Sequence, residues 1–213
     1  ELADVLGVLT DPVEIQTVGM RIVGELMKVD RVLYCDIDGD DITISDNYVR
    51  GDAQKIVGKF STQTFGTARD LFLARNNFVT NDVANDERLP QAEKDAMRSL
   101  GYQSCLAVPL FRDERWVANL AVYHDHPHEW TPHEICLMKE AADRIWTAVR
   151  RARAEAAVRE SEAKYRTLFD SIDEGFCLVE TIFDEAGKAV DFRYLEMNPV
   201  FERQTGLANA AGK

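Results

Sequence analysis

The four histidines of the chain are its most concentrated candidates for chemistry. His124, His126 and His128 alternate along the sequence, and His133 follows them. Closely spaced imidazole groups are common ligands of zinc and other transition metals. Pro127 interrupts this run, no cysteine lies near it, and the start of a helix follows it. We therefore interpret the segment as a solvated loop between a strand and a helix, and we predict no metal site.

Cysteine and carboxylate side chains are the next candidates. Cys35, Cys105, Cys136 and Cys177 are scattered through apolar stretches without a C-x-x-C pair, which predicts buried, reduced thiols. Acidic residues flank a turn at residues 39–40, where aspartate favours local hydrogen bonds with the backbone. The sequence has no glycine-rich nucleotide loop and no nucleophile beside a partner base. We therefore predict no catalytic residues and no enzymatic activity for this chain by itself.

Charge and hydropathy restrict the classes of partner. The formal net charge is -12, from 25 Lys and Arg against 37 Asp and Glu. Such a surface repels a phosphate backbone and an anionic membrane, so we predict no nucleic-acid or membrane partner. No run approaches the roughly 18 apolar residues needed to cross a bilayer, and no signal-peptide pattern occurs. These features predict a cytoplasmic location.

Apolar periodicity predicts the elements that must position any functional side chain. Asp11-Pro12 is a helix start, with Asp11 as the N-cap. The predicted elements are a helix to Lys28, strands 31–38 and 41–49, a helix 64–76, a strand 77–82, a helix 90–100, and strands 104–111 and 116–123. This order differs from the βαβ alternation of a doubly wound fold. We predict an α+β domain with an antiparallel sheet flanked by helices, ending near residue 150.

A long helix is predicted to begin after Thr131, because Thr131 and Glu134 form a capping box around Pro132. Its apolar residues keep heptad a and d spacing, which is typical of a parallel coiled-coil dimer. The predicted dimer seam consists of Ile135, Met138, Ala142, Ile145, Val149 and Ala152. The pattern stutters around residue 155, after which Val158, Tyr165 and Ile172 continue on a displaced phase. The alternative for the first half is that the stripe packs against its own domain.

The first 150 residues resemble a known sensory family. Ser104-Cys-Leu-Ala-Val-Pro-Leu110, a polar turn, a strand, and Trp130-Thr-Pro-His-Glu134 opening a long helix are similar to GAF domains of sensor histidine kinases. In that family the loop after residue 81 and the following helix cover a small-molecule pocket. The resemblance therefore implies that the ligand-binding residues include Asp82, Asn85, Asp86 and Arg88.

The cofactor cannot be assigned from this resemblance. Some GAF domains attach a bilin to a cysteine in the helix before the Ser104 strand, but residues 91–99 contain no cysteine. Covalent bilin attachment of that type is therefore disfavoured, and we interpret Cys105 as a packing residue. The motif common among GAF domains that bind cyclic nucleotides is also missing. A GAF-type methionine sulfoxide reductase would need clustered reactive cysteines, which the sequence does not bring together.

A second resemblance begins near residue 160. Glu160 to Gly175 is similar to the N-terminal segment of a PAS domain, and Glu196 to Gly206 resembles the early helix of such a domain. The local residue sequence of both segments is like that of PAS domains in HWE-type histidine kinases. The implied organisation is a GAF domain at 1–150, a helical linker at 151–164 and the N-terminal part of a PAS domain at 165–213. We expect a fragment of a longer kinase whose catalytic region lies beyond residue 213.

Two functions remain open from the sequence. In the first, the GAF domain binds an unidentified small molecule and relays its state through the linker of a homodimer to the PAS domain and kinase. In the second, the GAF domain binds no ligand and serves as a dimerisation scaffold. The first is the leading hypothesis, and the absence of a recognisable ligand motif is the sequence feature that favours the second.

Overall fold

The protein is represented by a computed structural model that describes residues 2–51 and 54–207. The chain divides into two compact units, Glu1–Ala154 and Glu155–Lys213. The first unit has the helices α1 (Leu2–Gly7), α2 (Pro12–Met27), α3 (Thr67–Leu73) and α4 (Gln91–Ser99), a short 3-10 turn at Thr62–Phe65, and the strands β1 (Arg31–Asp38), β2 (Asp41–Ile44), β3 (Asn47–Val49), β4 (Gly58–Ser61), β5 (Phe78–Thr80), β6 (Ser104–Arg112) and β7 (Arg115–His124). A long helix, α5 (Pro132–Ser171), starts in this unit and extends into the second.

The two predicted helix starts are confirmed by their capping hydrogen bonds. The Asp11 carboxylate accepts a hydrogen bond from the Glu14 amide at 2.8 Å, at the start of α2. At the start of α5, the Glu134 amide donates to the Thr131 hydroxyl at 3.2 Å, while the Thr131 amide donates to the Glu134 carboxylate at 2.8 Å. These reciprocal bonds satisfy amides that a helix cannot pair internally.

The sheet of the first unit is antiparallel throughout, with the order β4-β2-β1-β7-β6-β5 and with β3 also paired to β1. This architecture confirms the α+β prediction. The predicted strand 41–49 is divided into β2 and β3, because Asp46 turns its carboxylate to its own backbone neighbour and accepts from the Asn47 amide at 2.8 Å. The same carboxylate pairs with Lys55 at 2.6 Å.

The two faces of the sheet have different coverings because neighbouring strand residues point to opposite sides. Val32 and Tyr34 face a core formed with α1, α2 and α5. Leu33 and Cys35 face a second cluster formed with α3, whose Ala68 and Phe72 are both buried. The sheet therefore separates a helix-packed layer from the layer that carries the pocket.

The predicted dimer seam is part of the first core. Ile145 is fully buried and meets α2 so closely that a Cβ at Gly19 would lie 2.7 Å from the Ile145 Cγ1. The seam residues Met138, Ala142, Ile145, Val149 and Ala152 are buried in this core, and Ile135 packs against it partly buried. The prediction that these six residues face a second chain is wrong, because their own domain already covers them.

The second unit contains the remainder of α5, the strands β8 (Cys177–Phe183) and β9 (Ala189–Met197), and the helix α6 (Pro199–Thr205). The two strands pair antiparallel. Asn198 is fully buried, and its side-chain oxygen accepts hydrogen bonds from the Phe176 and Phe201 amides, both at 2.9 Å. Residues 208–213 of the predicted PAS segment lie outside the described residues.

Within residues 2–51 and 54–207, no helix combines the length and the apolar character that a membrane crossing requires.

Candidate ligand pocket

A cavity of about 400 Å³ lies between the second face of the sheet and the helices α3 and α4. Its wall is mainly apolar. The sheet contributes Leu33, Ile42, Ile44, Phe78 and Ala107, and the covering segments contribute Phe65, Ala68, Phe72, Ala96, Met97 and Leu100. This size and lining are typical of pockets for small organic molecules.

Two buried polar groups in the cavity wall lack a hydrogen-bond partner in the protein. Asn119, in β7, is 1% exposed, and its side-chain oxygen accepts no hydrogen bond. The hydroxyl of the buried Tyr102 is also without a partner. A buried polar group without a hydrogen bond is unfavourable by about 1–3 kcal/mol. A ligand that supplies the missing donors or acceptors would remove this penalty.

The charge of the lining selects against anionic ligands. Glu93, in α4, is the charged residue among the lining side chains that the structure describes, and no lysine or arginine accompanies it. Its carboxylate accepts hydrogen bonds from the amide and the hydroxyl of Thr67, at 3.1 Å each. Glu93 therefore joins α4 to the start of α3, and a ligand carboxylate or phosphate would find no basic partner in this wall.

The thiols that line the cavity, those of Cys35 and Cys105, are protonated and unreactive at neutral pH. Burial raises the pKa of Cys35 to about 12 and raises the pKa of Cys105 further. Since the thiolate is the nucleophile, both groups are unreactive at neutral pH. Cys105 is buried as predicted, but it forms part of the cavity wall, which the sequence did not indicate. The prediction of burial is wrong for Cys136, which is exposed.

The loop residues predicted to bind the ligand are instead paired with one another. The side-chain amide of Asn85 donates to the Asp82 carboxylate at 2.7 Å. The Arg88 guanidinium donates to the Asp86 carboxylate at 2.9 Å and also contacts the carbonyl of Val79, in β5. None of the four lines the cavity. Their assignment as ligand-binding residues therefore stays a prediction, whereas α4, the following helix, does line this cavity.

Several pocket residues that sequence reasoning missed lie on strands, among them Leu33 and Asn119. Strand periodicity assigns a side chain to one face of a sheet, but it does not show that the face borders a cavity. Asn119 offers a signal that could have been used, because it is an amide inside the otherwise apolar run Trp116 to Val122. A polar residue in such a run needs a partner, and a ligand is one candidate.

On the opposite face of the sheet, β1 is tied to the long helix. Asp36 follows the pocket residue Cys35 and faces the helices. Its carboxylate accepts two hydrogen bonds from the Arg153 guanidinium, at 3.0 and 2.6 Å, and one from the side-chain amide of Gln16 at 2.8 Å. Arg151 donates to the carbonyls of α1 and the residues after it. The helix is therefore clamped to the domain just before the boundary of the first unit.

The histidines are closer together than the loop interpretation implied. His124 is the last residue of β7 and is buried. The centre of its ring lies 4.5 Å from the ring centre of His126 and 4.8 Å from that of His128. Burial lowers the pKa of His124, although Asp30 opposes this effect. His133 is exposed.

The comparisons with known proteins agree with this architecture. The GAF domain family model matches residues 11–149. A comparison with the curated proteins gives no significant match. Among solved structures, the phycoerythrobilin-bound GAF domain from a cyanobacterial phytochrome is similar with a TM-score of 0.62 at 16% identity, over 72% of this chain and 95% of that one.

Two further solved structures have the same fold. A methyl-accepting chemotaxis protein fragment, residues 122 to 287, is similar with a TM-score of 0.60 at 16% identity, over 72% of this chain and 98% of that one. The free methionine-R-sulfoxide reductase from Neisseria meningitidis, in complex with its substrate, is similar with a TM-score of 0.57 at 17% identity, over 72% of this chain and 87% of that one. At such low sequence identity, the structural similarity is evidence for the fold alone. The family match covers well over half of the sequence, and the chain belongs to the GAF domain family, a family of sensory domains found in signalling proteins.

Proposed function

We propose that this protein is the sensory region of a signalling protein, and that its GAF domain binds an uncharged, largely apolar small molecule. The observation that carries the proposal is the apolar cavity with the unpaired Asn119 oxygen and Tyr102 hydroxyl in its wall. An apolar ligand body would fill the space between the sheet and the two covering helices. One hydrogen-bond donor on the ligand would satisfy the Asn119 oxygen.

The lining argues against two anionic ligand classes, the bilins bound in similar structures and the cyclic nucleotides. Propionate groups of a bilin or a cyclic phosphate would carry negative charge into a wall whose charged residue is Glu93. An isolated buried anion is strongly unfavourable without a cationic partner. The raised thiol pKa values of Cys35 and Cys105 likewise argue against thiol catalysis in this pocket. We therefore favour binding without chemistry, and no enzymatic activity for this chain.

Strand β1 is a direct physical route from the pocket to the long helix. Cys35 contributes to the cavity wall, and the next residue, Asp36, holds Arg153. A ligand that moves β1 by a fraction of an ångström would therefore change the Asp36–Arg153 contact. The ligand must favour one of two arrangements of this contact for a signal to pass. The PAS and HWE-type kinase resemblances supply the expected receiver of that signal, in a cytoplasmic two-component system.

A homodimer remains part of the proposal, with a different contact. Val158, Tyr165 and Ile172 are exposed and lie seven residues apart, the first two on α5 and Ile172 directly after its last residue, and the exposed Leu168 shares this stripe. Exposed apolar residues that recur every seven residues along a helix favour pairing with a second copy of the chain. This stripe also supports the alternative function, in which the GAF domain is a scaffold for dimerisation and binds no ligand.

A thermal-shift screen of uncharged and anionic metabolites tests the ligand proposal, with calorimetry on each compound that binds. We expect uncharged compounds to raise the melting temperature and Asn119→Leu to weaken their binding by tenfold or more, which corresponds to about 1.4 kcal/mol. Asn85→Leu is the matched control, because Asn85 is outside the cavity, and it should bind normally. Preferred binding of anions, or equal affinities in all three proteins, would contradict the proposal.

A further inference from the structure

The three alternating histidines form a compact group at the end of β7. His124 is the last residue of β7, and His126 and His128 follow it in the loop before α5. One ring nitrogen from each of His124, His126 and His128 lies within 4.8 Å of those of the other two. None of the three lines the apolar cavity.

Each of the three rings is fixed through one nitrogen by a carboxylate. His124 Nδ1 lies 3.1 Å from Asp30 Oδ2, and His126 Nδ1 lies 2.9 Å from Asp125 Oδ1. His128 Nε2 lies 3.0 Å from Glu134 Oε1. A carboxylate on one ring nitrogen is the usual outer partner of a histidine that binds a metal through its other nitrogen, because it orients the ring and increases its basicity.

The carboxylates are themselves held by structure that the fold requires. Asp30 precedes β1, and its carboxylate also accepts from the Asp125 amide at 3.2 Å. Glu134 belongs to the capping box of α5, where its other oxygen accepts from the amide and the hydroxyl of Thr131, both at 2.8 Å. Two of the three rings are therefore anchored by side chains that have a second, structural hydrogen bond.

The surroundings also suit a cation. The Trp130 ring stacks on His124 at 5.4 Å between ring centres and shields one side of the group. His126 is exposed, which leaves a route for an ion from solvent. Asp30, Asp125 and His126 form an overlapping group whose ligand atoms also lie within 4.8 Å of one another. These carboxylates add negative charge beside the imidazoles, which offsets the charge of a divalent ion.

We propose that His124, His126 and His128 bind a divalent transition metal ion of the zinc class, with Asp30, Asp125 and Glu134 as the outer partners of the three rings. Imidazole donors suit zinc and its neighbours rather than magnesium or calcium. Three imidazoles leave a fourth coordination position for solvent. The site is separate from the apolar cavity, and it joins the end of β7 to the first turn of α5, the helix that leaves the GAF domain. Metal binding would therefore stabilise the start of that helix.

Calorimetric titration of the full, tag-free, chelator-treated protein with zinc chloride tests the site, with a parallel cobalt titration read by visible absorption. We expect one ion per chain and a higher melting temperature on binding, because an ion that binds only the folded state stabilises it. His126→Ala should weaken zinc binding by at least tenfold, and Asp30→Asn should weaken it by about 10- to 100-fold. His133→Ala is the matched control, since His133 is exposed and outside the group, and it should bind as the original protein does.

Several results would overturn the proposal. One is the absence of saturable zinc binding at about 100 µM, where a micromolar site would be filled. Another is zinc affinity that His126→Ala leaves unchanged, or that His133→Ala reduces equally. Circular dichroism checks that each variant is folded, and His128→Gln serves as a second ligand variant if His126→Ala is not. Neither the zinc titration nor its variants depend on the small-molecule pocket.

Discussion

The Asp86–Arg88 pair gives a quantitative test of the view that the loop after β5 is structural rather than ligand-binding. The hydrogen bond from Arg88 lowers the pKa of Asp86 from 3.8 to about 2, and it outweighs burial, which acts in the opposite direction. This difference corresponds to about 2.4 kcal/mol of stability at neutral pH. The Asp86 carboxylate is 9% exposed, but the Arg88 side chain is 53% exposed, so solvent screening reduces the effect. We expect Asp86→Ala to lower the free energy of unfolding by about 1–1.5 kcal/mol.

The pH dependence has a definite sign. A carboxyl group whose pKa is lower in the folded state contributes fully above its unfolded pKa and loses that contribution as the pH falls through its folded pKa. The difference between the original protein and Asp86→Ala should therefore be complete at pH 7, fall to about half at pH 3, and vanish below about pH 2. Urea unfolding without ligand at pH 7 and pH 3 measures it. The reasoning fails if Asp86→Ala leaves the unfolding free energy at pH 7 unchanged while it weakens ligand binding.

Three further predictions concern α5. Ile145→Ala should lower the free energy of unfolding by about 2–5 kcal/mol without changing the sedimentation coefficient of the folded protein; a change in oligomeric state alone would contradict its assignment to the core. Arg153→Ala should increase amide hydrogen exchange in residues 150–156 more than Arg159→Ala does, and equal protection in both would show that the Asp36 contact does not restrain the helix. Val158→Glu should weaken self-association in sedimentation experiments relative to Ala163→Glu, an exposed position off the stripe, and identical association would exclude the stripe as a dimer contact.

Local signals in the sequence predicted much of the fold, because the groups that decide a helix start are neighbours in the chain. Asp11 and the Thr131–Glu134 box are examples, since each cap joins residues three apart. The short strand β4 was not predicted. Its pattern Gly58-Lys-Phe-Ser61 alternates weakly, and its position is fixed by pairing with β2, where Ile42 faces Phe60 in register. Such pairing depends on a distant segment and leaves little trace in the strand's own sequence.

The pocket was only partly predictable for the same reason. The family resemblance implied that the helix after the loop covers the pocket, and α4 does line the cavity, but it also implied ligand contacts for the loop residues Asp82 and Asp86. In the fold these groups find partners within the loop itself. In the cavity wall, the buried polar groups without a partner are on Asn119 and Tyr102, among mainly apolar side chains. Residue type identifies a polar group, whereas only the surrounding structure shows whether its hydrogen bonds are already made.

The stripe of α5 shows where periodicity stops being informative. A helix that packs on its own sheet and a helix that pairs with a second chain both need an apolar face, so the spacing from Ile135 to Ala152 fits either. The stutter near residue 155 carries the missing information. It falls at the division between the two compact units, after Ala154 and just past Ala152, the last residue of this helix in the first core. Beyond it Val158 and Tyr165 follow a new phase and are exposed, Val158 at 57%. A change of phase along one continuous helix therefore marks the point at which the surface that the helix packs against changes.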